Sequence, residues 1–183
     1  MTQQSRKHLL AELSKVVTSI IKDYKTFSTY SFKIDGERTA KDVLEHIVFW
    51  HESFSRNTRD VAQKKQPKPL KGSYAKLAEQ SKKEMSHESV ANLLLRLTKA
   101  QESIEKNILN TQIVSIPYRV GSRAYTPEEH LDVVQQHLLG HLNEVKKSYS
   151  SLASEKKQLL TQHTFPLNLR NQSEVSSSHS IVF

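Results

Sequence analysis

Apolar residues recur at steps of three and four along four stretches of the chain, a spacing typical of amphipathic helices that bury one stripe. The expected helices lie near residues 5–27, 39–59, 86–109 and 126–155. In the second helix the stripe consists of Val43, Ile47, Trp50 and Phe54, so we expect Trp50 to be buried. The pattern predicts an all-α fold, a four-helix bundle.

Two of these helices carry a clear start signal. Thr39 is followed three residues later by Asp42, in an arrangement similar to a capping box. Thr126 is followed by Pro127, which suits the first helical position, and then by two acids that the helix dipole favours. The second and fourth helices are therefore expected to begin at these threonines.

The connections differ in length. Residues 60–86 form a long crossover between the second and third helices, with a short extra helix near 74–80. Residues 110–125 are irregular, and the pattern leaves open a short extended segment or a packed loop. We expect one bundle domain over residues 1–157 and a polar, largely disordered tail over 158–183.

Composition narrows the classes of partner. The 183 residues carry a formal charge of +8, and much of the excess lies in lysines between Lys64 and Lys83. Prolines and a glycine interrupt that stretch, and only Tyr74 offers a ring on which a base could stack. We therefore favour a solvated basic loop over a nucleic-acid interface.

The chain contains no cysteine, which excludes disulfides, thiolate metal sites and cysteine nucleophiles. No stretch has the pattern of a signal peptide or a membrane span. The expected partner is a small-molecule substrate in the cytoplasm, without nucleic acid or membrane, and a homodimer is left open.

Nine histidines prompt a search for a metal site. On the second helix, His46 falls about 60° to one side of Val43 and His51 about 80° to the other side of the stripe. The two point about 140° apart, so one ion cannot bind both. Taken alone, His46 is as well explained by a histidine at the core edge as by a metal ligand.

The fourth helix strengthens the ligand interpretation. His137 and His141 are four residues apart, which places two imidazoles on one helical face within reach of one ion. His130 and Glu144 lie on the same rim and are candidates for a fourth ligand or an orienting group. Gly140 indicates either a close approach of another group or a tolerated irregularity.

Two stretches carry a resemblance to a known family. Residues 41–52, KDVLEHIVFWHE, and residues 125–141, from YTPEEH to HLLGH, resemble helices of the DinB superfamily, near its colibactin self-protection branch. The resemblance covers about residues 5–155 in helix order. It implies a four-helix bundle with a long crossover and a divalent ion held by His46, His137 and His141.

The resemblance and the spacing suggest two functions. The first is a metal-dependent small-molecule enzyme, a hydrolase or thiol-dependent transferase, that uses zinc, nickel or manganese on the three histidines. Its substrate pocket is expected at Trp50, Tyr118, Arg123 and Glu144. The alternative for Tyr118 and its neighbour Tyr125 is ordinary packing over the end of the bundle.

The second function requires no metal. It is a self-protection or sequestering protein of the colibactin-resistance type, which binds a small molecule in the bundle cavity and uses acid/base groups such as Glu45 or Glu52. The catalytic residues, and whether the chain is an enzyme, stay undetermined at this level.

Overall fold

A computed structural model describes residues 3–162. Within these residues, five helices and two small hairpins follow one another. The helices are α1 (Gln3–Thr26), α2 (Ala40–Ala62), α3 (Tyr74–Met85), α4 (Val90–Asn107) and α5 (Pro127–Gln162). The strands are β1 (Lys33–Asp35), β2 (Arg38–Thr39), β3 (Ile116–Pro117) and β4 (Ala124–Tyr125).

The four long helices match the four apolar patterns in the sequence. Both predicted start signals are confirmed. Thr39 and Asp42 cap each other at the start of α2, and Thr126 and Glu129 exchange backbone and side-chain hydrogen bonds at the start of α5. These reciprocal bonds satisfy amide groups that the first turn of a helix leaves without partners.

The last helix is longer than expected, since it runs to Gln162 and not to about residue 155. Nearly all side chains over residues 151–159 are exposed. A largely exposed stretch of helix needs no apolar stripe, so periodicity could not reveal this extension. The tail predicted over 158–183 falls mostly outside the described residues.

Two hairpins take the place of segments that broke the helical pattern. β1 and β2 pair in antiparallel orientation around Gly36, whose φ of +43° is a left-handed conformation that suits glycine. β3 pairs with β4 in the second hairpin, so residues 110–125 combine a short extended pair with loop segments. The described residues are mostly helical, and these strands of two or three residues correct the purely all-α expectation.

The helices pack in the manner of a bundle. α2 lies chiefly along α4, and α1 chiefly along α5, while the short α3 packs on α2. Their apolar stripes form one continuous core. Within it, the Tyr24 hydroxyl donates a 2.7 Å hydrogen bond to the Ala40 carbonyl oxygen, which joins α1 to the first residue of α2.

The connection between α2 and α4 is anchored at its middle. The expected short helix is confirmed as α3 and ends five residues later than predicted, at Met85. The Val120 amide donates to the Leu70 carbonyl, and the Arg119 guanidinium donates to the Gly72 carbonyl and lies 4.9 Å from the Tyr74 ring centre. These contacts hold the connection against the β3–β4 hairpin.

Trp50 corrects one expectation. It is half-buried, whereas Val43, Ile47 and Phe54 of the same stripe are fully buried. Its ring stacks on Tyr118 at 5.1 Å, at the edge of the core. Among the residues 3–162, no helix combines the length and apolarity that crossing a bilayer requires.

Candidate metal centre

Three histidines from two helices meet at one point. The Nε2 atom of His137 lies 3.2 Å from Nε2 of His46 and 3.0 Å from Nε2 of His141. Each of the three offers one ligand atom, and these atoms lie within 4.8 Å of one another. The convergence expected from the sequence is therefore present in the fold.

The two helices bring the rings together in different ways. His137 and His141 are one turn apart on α5, which brings their rings into edge-to-face contact along one face of that helix. His46 projects from α2 beside the buried Val43 and Ile47, so the packing of this stripe sets its direction. His46 and His141 are half-buried, and His137 is the most exposed of the three.

A carboxylate fixes the proton arrangement of one ring. Glu144 Oε2 lies 3.1 Å from His141 Nδ1, and a carboxylate can only accept there, so Nδ1 carries the hydrogen. In neutral His141 the Nε2 lone pair then faces the cluster. Arg38 from β2 donates a hydrogen bond to Glu144 at 3.1 Å and another to Asp35. Because Asp35 holds the guanidinium, Arg38 in turn steadies the Glu144 carboxylate.

The cluster favours neutral imidazoles. Desolvation, followed by the neighbouring His141 and His137 and by Arg38, lowers the pKa of His46 to about 3. Desolvation and His141 lower the pKa of His137 to about 4, which outweighs the opposite effect of Glu144. Neutral imidazole is the form that binds a metal ion.

The donor set fits a divalent ion. Two imidazole nitrogens on one tetrahedral zinc ion, each bonded at roughly 2.0–2.1 Å, lie about 3.3 Å apart. The two close contacts at His137, 3.2 and 3.0 Å, are near that value. Because one imidazole nitrogen has either a single hydrogen or a single lone pair, His137 Nε2 cannot make two good hydrogen bonds to its neighbours. A shared cation removes this conflict.

The other histidines of these helices lie elsewhere. His51 is buried and bonds Gln101 Oε1 through Nε2 at 2.9 Å, on the side of α2 away from His46. His130 is buried and stacks on Phe54 at 4.1 Å, outside the cluster. His46 and His51 thus lie on different sides of α2, as their helical angles predict, and do not share an ion site.

The residues expected to form a substrate pocket are divided. Trp50 and Tyr118 line a narrow pocket between α2 and α5 that His137 also lines. Arg123 lies outside it, in an ion pair with Glu129 and over the Tyr125 ring. Glu144 also lies outside that pocket, bonded to His141 and facing a shallow cleft beside the β1–β2 hairpin.

The two candidate acid/base groups also differ. Glu45 is buried, and burial raises the pKa of its carboxyl group despite an ion pair with Lys41 at 3.3 Å. It lines a second cleft, which reaches His46 from the side of α3. Glu52 instead holds Arg96 with both carboxylate oxygens, at 2.9 and 2.8 Å, on the α4 side.

Gly140 has no neighbour that explains it. A Cβ atom at this position would meet no atom of the described residues within 4 Å. Close approach of another part of the described backbone therefore does not explain this glycine.

Sequence reasoning missed two residues that shape this region. Arg38 reaches Glu144 only because the β1–β2 hairpin folds back toward α5, and no local pattern indicates that. Asn57 is completely buried and lines the same pocket as Trp50. Asn57 follows Phe54 by three residues and therefore lies on the apolar stripe of α2. A polar residue on that stripe was the sequence signal that could have indicated this pocket.

Comparisons with known proteins add no relatives. No protein-family model matches the chain, no curated protein matches it, and no solved structure matches it. The function is therefore inferred from the geometry of the site.

Proposed function

We propose that the chain is a DinB-like four-helix bundle and a metal-dependent enzyme acting on a small molecule, as a hydrolase or a transferase. The observation that carries the proposal is the meeting of His46, His137 and His141 at one point. Three protein ligands leave a coordination position for water or substrate, as in catalytic zinc sites.

The residues of this chain have separable roles in the proposed site. His46, His137 and His141 would hold the ion, and Glu144 orients His141 through its 3.1 Å contact with Nδ1. When bound, a divalent ion activates water or polarises a substrate oxygen. The exposure of His137 and its position on the wall of the pocket of Trp50 and Tyr118 support a substrate site on that side of the cluster.

The first test is metal content and metal affinity. Protein purified without an affinity tag is stripped with a chelator and titrated with zinc, nickel and manganese by isothermal calorimetry. We expect one ion per chain, and a melting temperature that rises with metal concentration because the ion binds the folded state. Each of His46→Ala, His137→Ala and His141→Ala should abolish stoichiometric binding.

Two further variants make the test specific. The exposed His87 lies outside the cluster, so His87→Ala should bind metal as the unaltered protein does. Glu144→Gln removes the charge behind His141 and should weaken affinity by about 10- to 100-fold without abolishing binding. Binding that survives all three ligand substitutions would refute the site.

A chain that folds but takes up none of the three ions would instead favour the metal-free function. Glu45 is the group that supports this second candidate, because its raised pKa and its position in a cleft beside His46 suit an acid/base role. Glu52 is less suited, since Arg96 occupies both of its oxygens.

A further inference from the structure

The pocket beside the cluster contains buried polar atoms without partners. It is lined by apolar side chains such as Ile47, Phe54 and Leu138, and by His51, Asn57 and His130. His51, Asn57 and His130 each expose 1% or less of their surface. Among the described residues, no hydrogen-bond partner exists for Nδ1 of His51, Oδ1 of Asn57 or either ring nitrogen of His130. Buried polar groups in folded proteins are nearly always hydrogen-bonded, so these unpaired atoms indicate a site for a polar ligand.

Their neighbours determine which of these atoms accept. Gln101 donates its own amide hydrogens to Ser14 and Glu105, so its oxygen faces His51 and the His51 hydrogen sits on Nε2. His51 Nδ1 is therefore a bare acceptor. Asn57 Nδ2 donates to the Pro117 carbonyl at 3.1 Å, which leaves Asn57 Oδ1 as a second acceptor.

His130 completes the set. In a neutral imidazole one nitrogen donates and the other accepts. The unpartnered buried atoms in the pocket wall are thus three acceptors and one donor, which favours a ligand end group with more donors than acceptors. None of the described side chains that line the pocket is a carboxylate, a lysine or an arginine.

The buried surroundings of the pocket disfavour a charged ligand. Burial lowers the pKa of His130 to about 3, and burial also lowers that of His51 to about 4 although Gln101 and Glu52 oppose the shift. An environment that keeps two imidazoles neutral also opposes entry of an ammonium or carboxylate group. The ligand is accordingly neutral.

The size and lining of the pocket indicate a ligand with a small polar end group and a flat aromatic part. With the side chains as they stand, the pocket has a volume of about 30 Å³, enough for a water-sized group or two. Trp50 and Tyr118, which stack on each other at 5.1 Å, add two aromatic rings to the lining of this pocket. An aromatic body suits these rings, because offset and edge-to-face ring contacts stabilise beyond simple burial.

We propose that this pocket binds a neutral aromatic molecule that carries a primary carboxamide, with the amide hydrogens directed to Asn57 and His51 and the amide oxygen accepting from His130. A primary amide brings two hydrogens and one carbonyl oxygen, which matches the surplus of acceptors in the wall. As an assignment of the substrate class it rests on the proposed function, since His137 lines this pocket and also belongs to the metal cluster.

Binding of benzamide, benzoate, benzylamine and benzene tests the proposal. These four probes share a ring and differ in the charge and donors of the end group. Affinities are measured by nuclear magnetic resonance titration on the full chain, both zinc-loaded and chelator-stripped. We expect benzamide to bind at least tenfold more tightly than each of the other three, in both forms of the protein.

Substitutions locate the binding. His130→Phe keeps an aromatic ring on Phe54 and removes both nitrogens, so benzamide affinity should fall at least tenfold while the protein stays folded. The same exchange at the exposed His87, His87→Phe, should leave affinity unchanged. The probe series on the unaltered protein decides the question even if a variant fails to fold.

The outcomes separate the two proposals. Benzamide binding without stoichiometric metal supports the pocket and overturns the enzyme proposal. Stoichiometric metal without saturable benzamide binding overturns the pocket and leaves the metal site intact. Equal or tighter binding of benzylamine or benzoate, or absence of binding by all four probes as expected for a pocket that holds only water, overturns the carboxamide assignment.

Discussion

At the scale of single residues, the site combines a side chain held by its neighbours, His141, with a position that has no close neighbour among the described residues, Gly140. His141 is oriented by Glu144, which Arg38 holds in turn, and these contacts favour the ring orientation in which Nε2 faces the cluster. Gly140, its immediate neighbour, has open space where a side chain would stand. The metal cluster therefore does not require glycine at this position.

Gly140→Ala should stabilise the protein. Alanine is favoured over glycine inside a helix by about 1 kcal/mol, and the added methyl group meets no atom within 4 Å. We expect the free energy of unfolding in urea to rise by about 1 kcal/mol, with metal affinity unchanged. A loss of stability, or of metal, would show that the backbone near His137 and His141 needs glycine.

At the scale of the elements, one arginine connects three of them. Arg6 on α1 donates to the Glu128 carboxylate in the first turn of α5 at 2.9 Å, and to the carbonyls of Ile108 and Asn110 just after α4. Only 12% of the Arg6 side chain and 7% of the Glu128 side chain are exposed. The pair thus anchors the start of the helix that carries His137 and His141.

Arg6→Met should destabilise the fold by about 3–5 kcal/mol, because it leaves the Glu128 carboxylate buried without its counter-charge. The double variant Arg6→Met with Glu128→Met removes both charges and should recover more than half of that loss. Chemical denaturation of the three proteins measures both differences. Equal losses in the single and double variants would contradict the uncompensated-charge explanation.

At the scale of the whole molecule, buried neutral histidines make stability depend on pH. The pKa of His130 is lowered to about 3 and that of His51 to about 4, both below the ordinary value of about 6.5. Below that ordinary value the unfolded chain takes up protons that the folded chain does not. Stability is therefore retained above about pH 6.5 and lost as the pH falls toward 4.

His130→Phe isolates the contribution of one histidine. Between pH 7.5 and pH 5, protonation of this side chain in the unfolded state should cost the protein on the order of 2 kcal/mol. The variant should lose that much less stability over this interval, since carboxylates and the other histidines titrate alike in both proteins. Parallel stability curves, measured by urea unfolding of metal-free protein, would contradict the buried neutral state of His130.

Much of the helical architecture follows from the sequence alone. Local periodicity is a property of each stretch, so the four apolar stripes and the caps at Thr39 and Thr126 predict α1, α2, α4 and α5 without knowledge of their partners. The four-residue spacing of His137 and His141 likewise fixes their common face, since the helix repeat sets it. The candidate status of His46 followed from its angle beside the core stripe.

Tertiary packing decided the rest, because distance between elements is not a local property. Only the folded chain shows that His46 reaches within 3.2 Å of His137, and that Arg38 reaches Glu144 from a hairpin. Trp50 looked like a core residue by its spacing, yet the pocket at its ring leaves it half-exposed. A hydrophobic pattern records which face of a helix turns inward, whereas the partners that cover each position are set by how the helices meet.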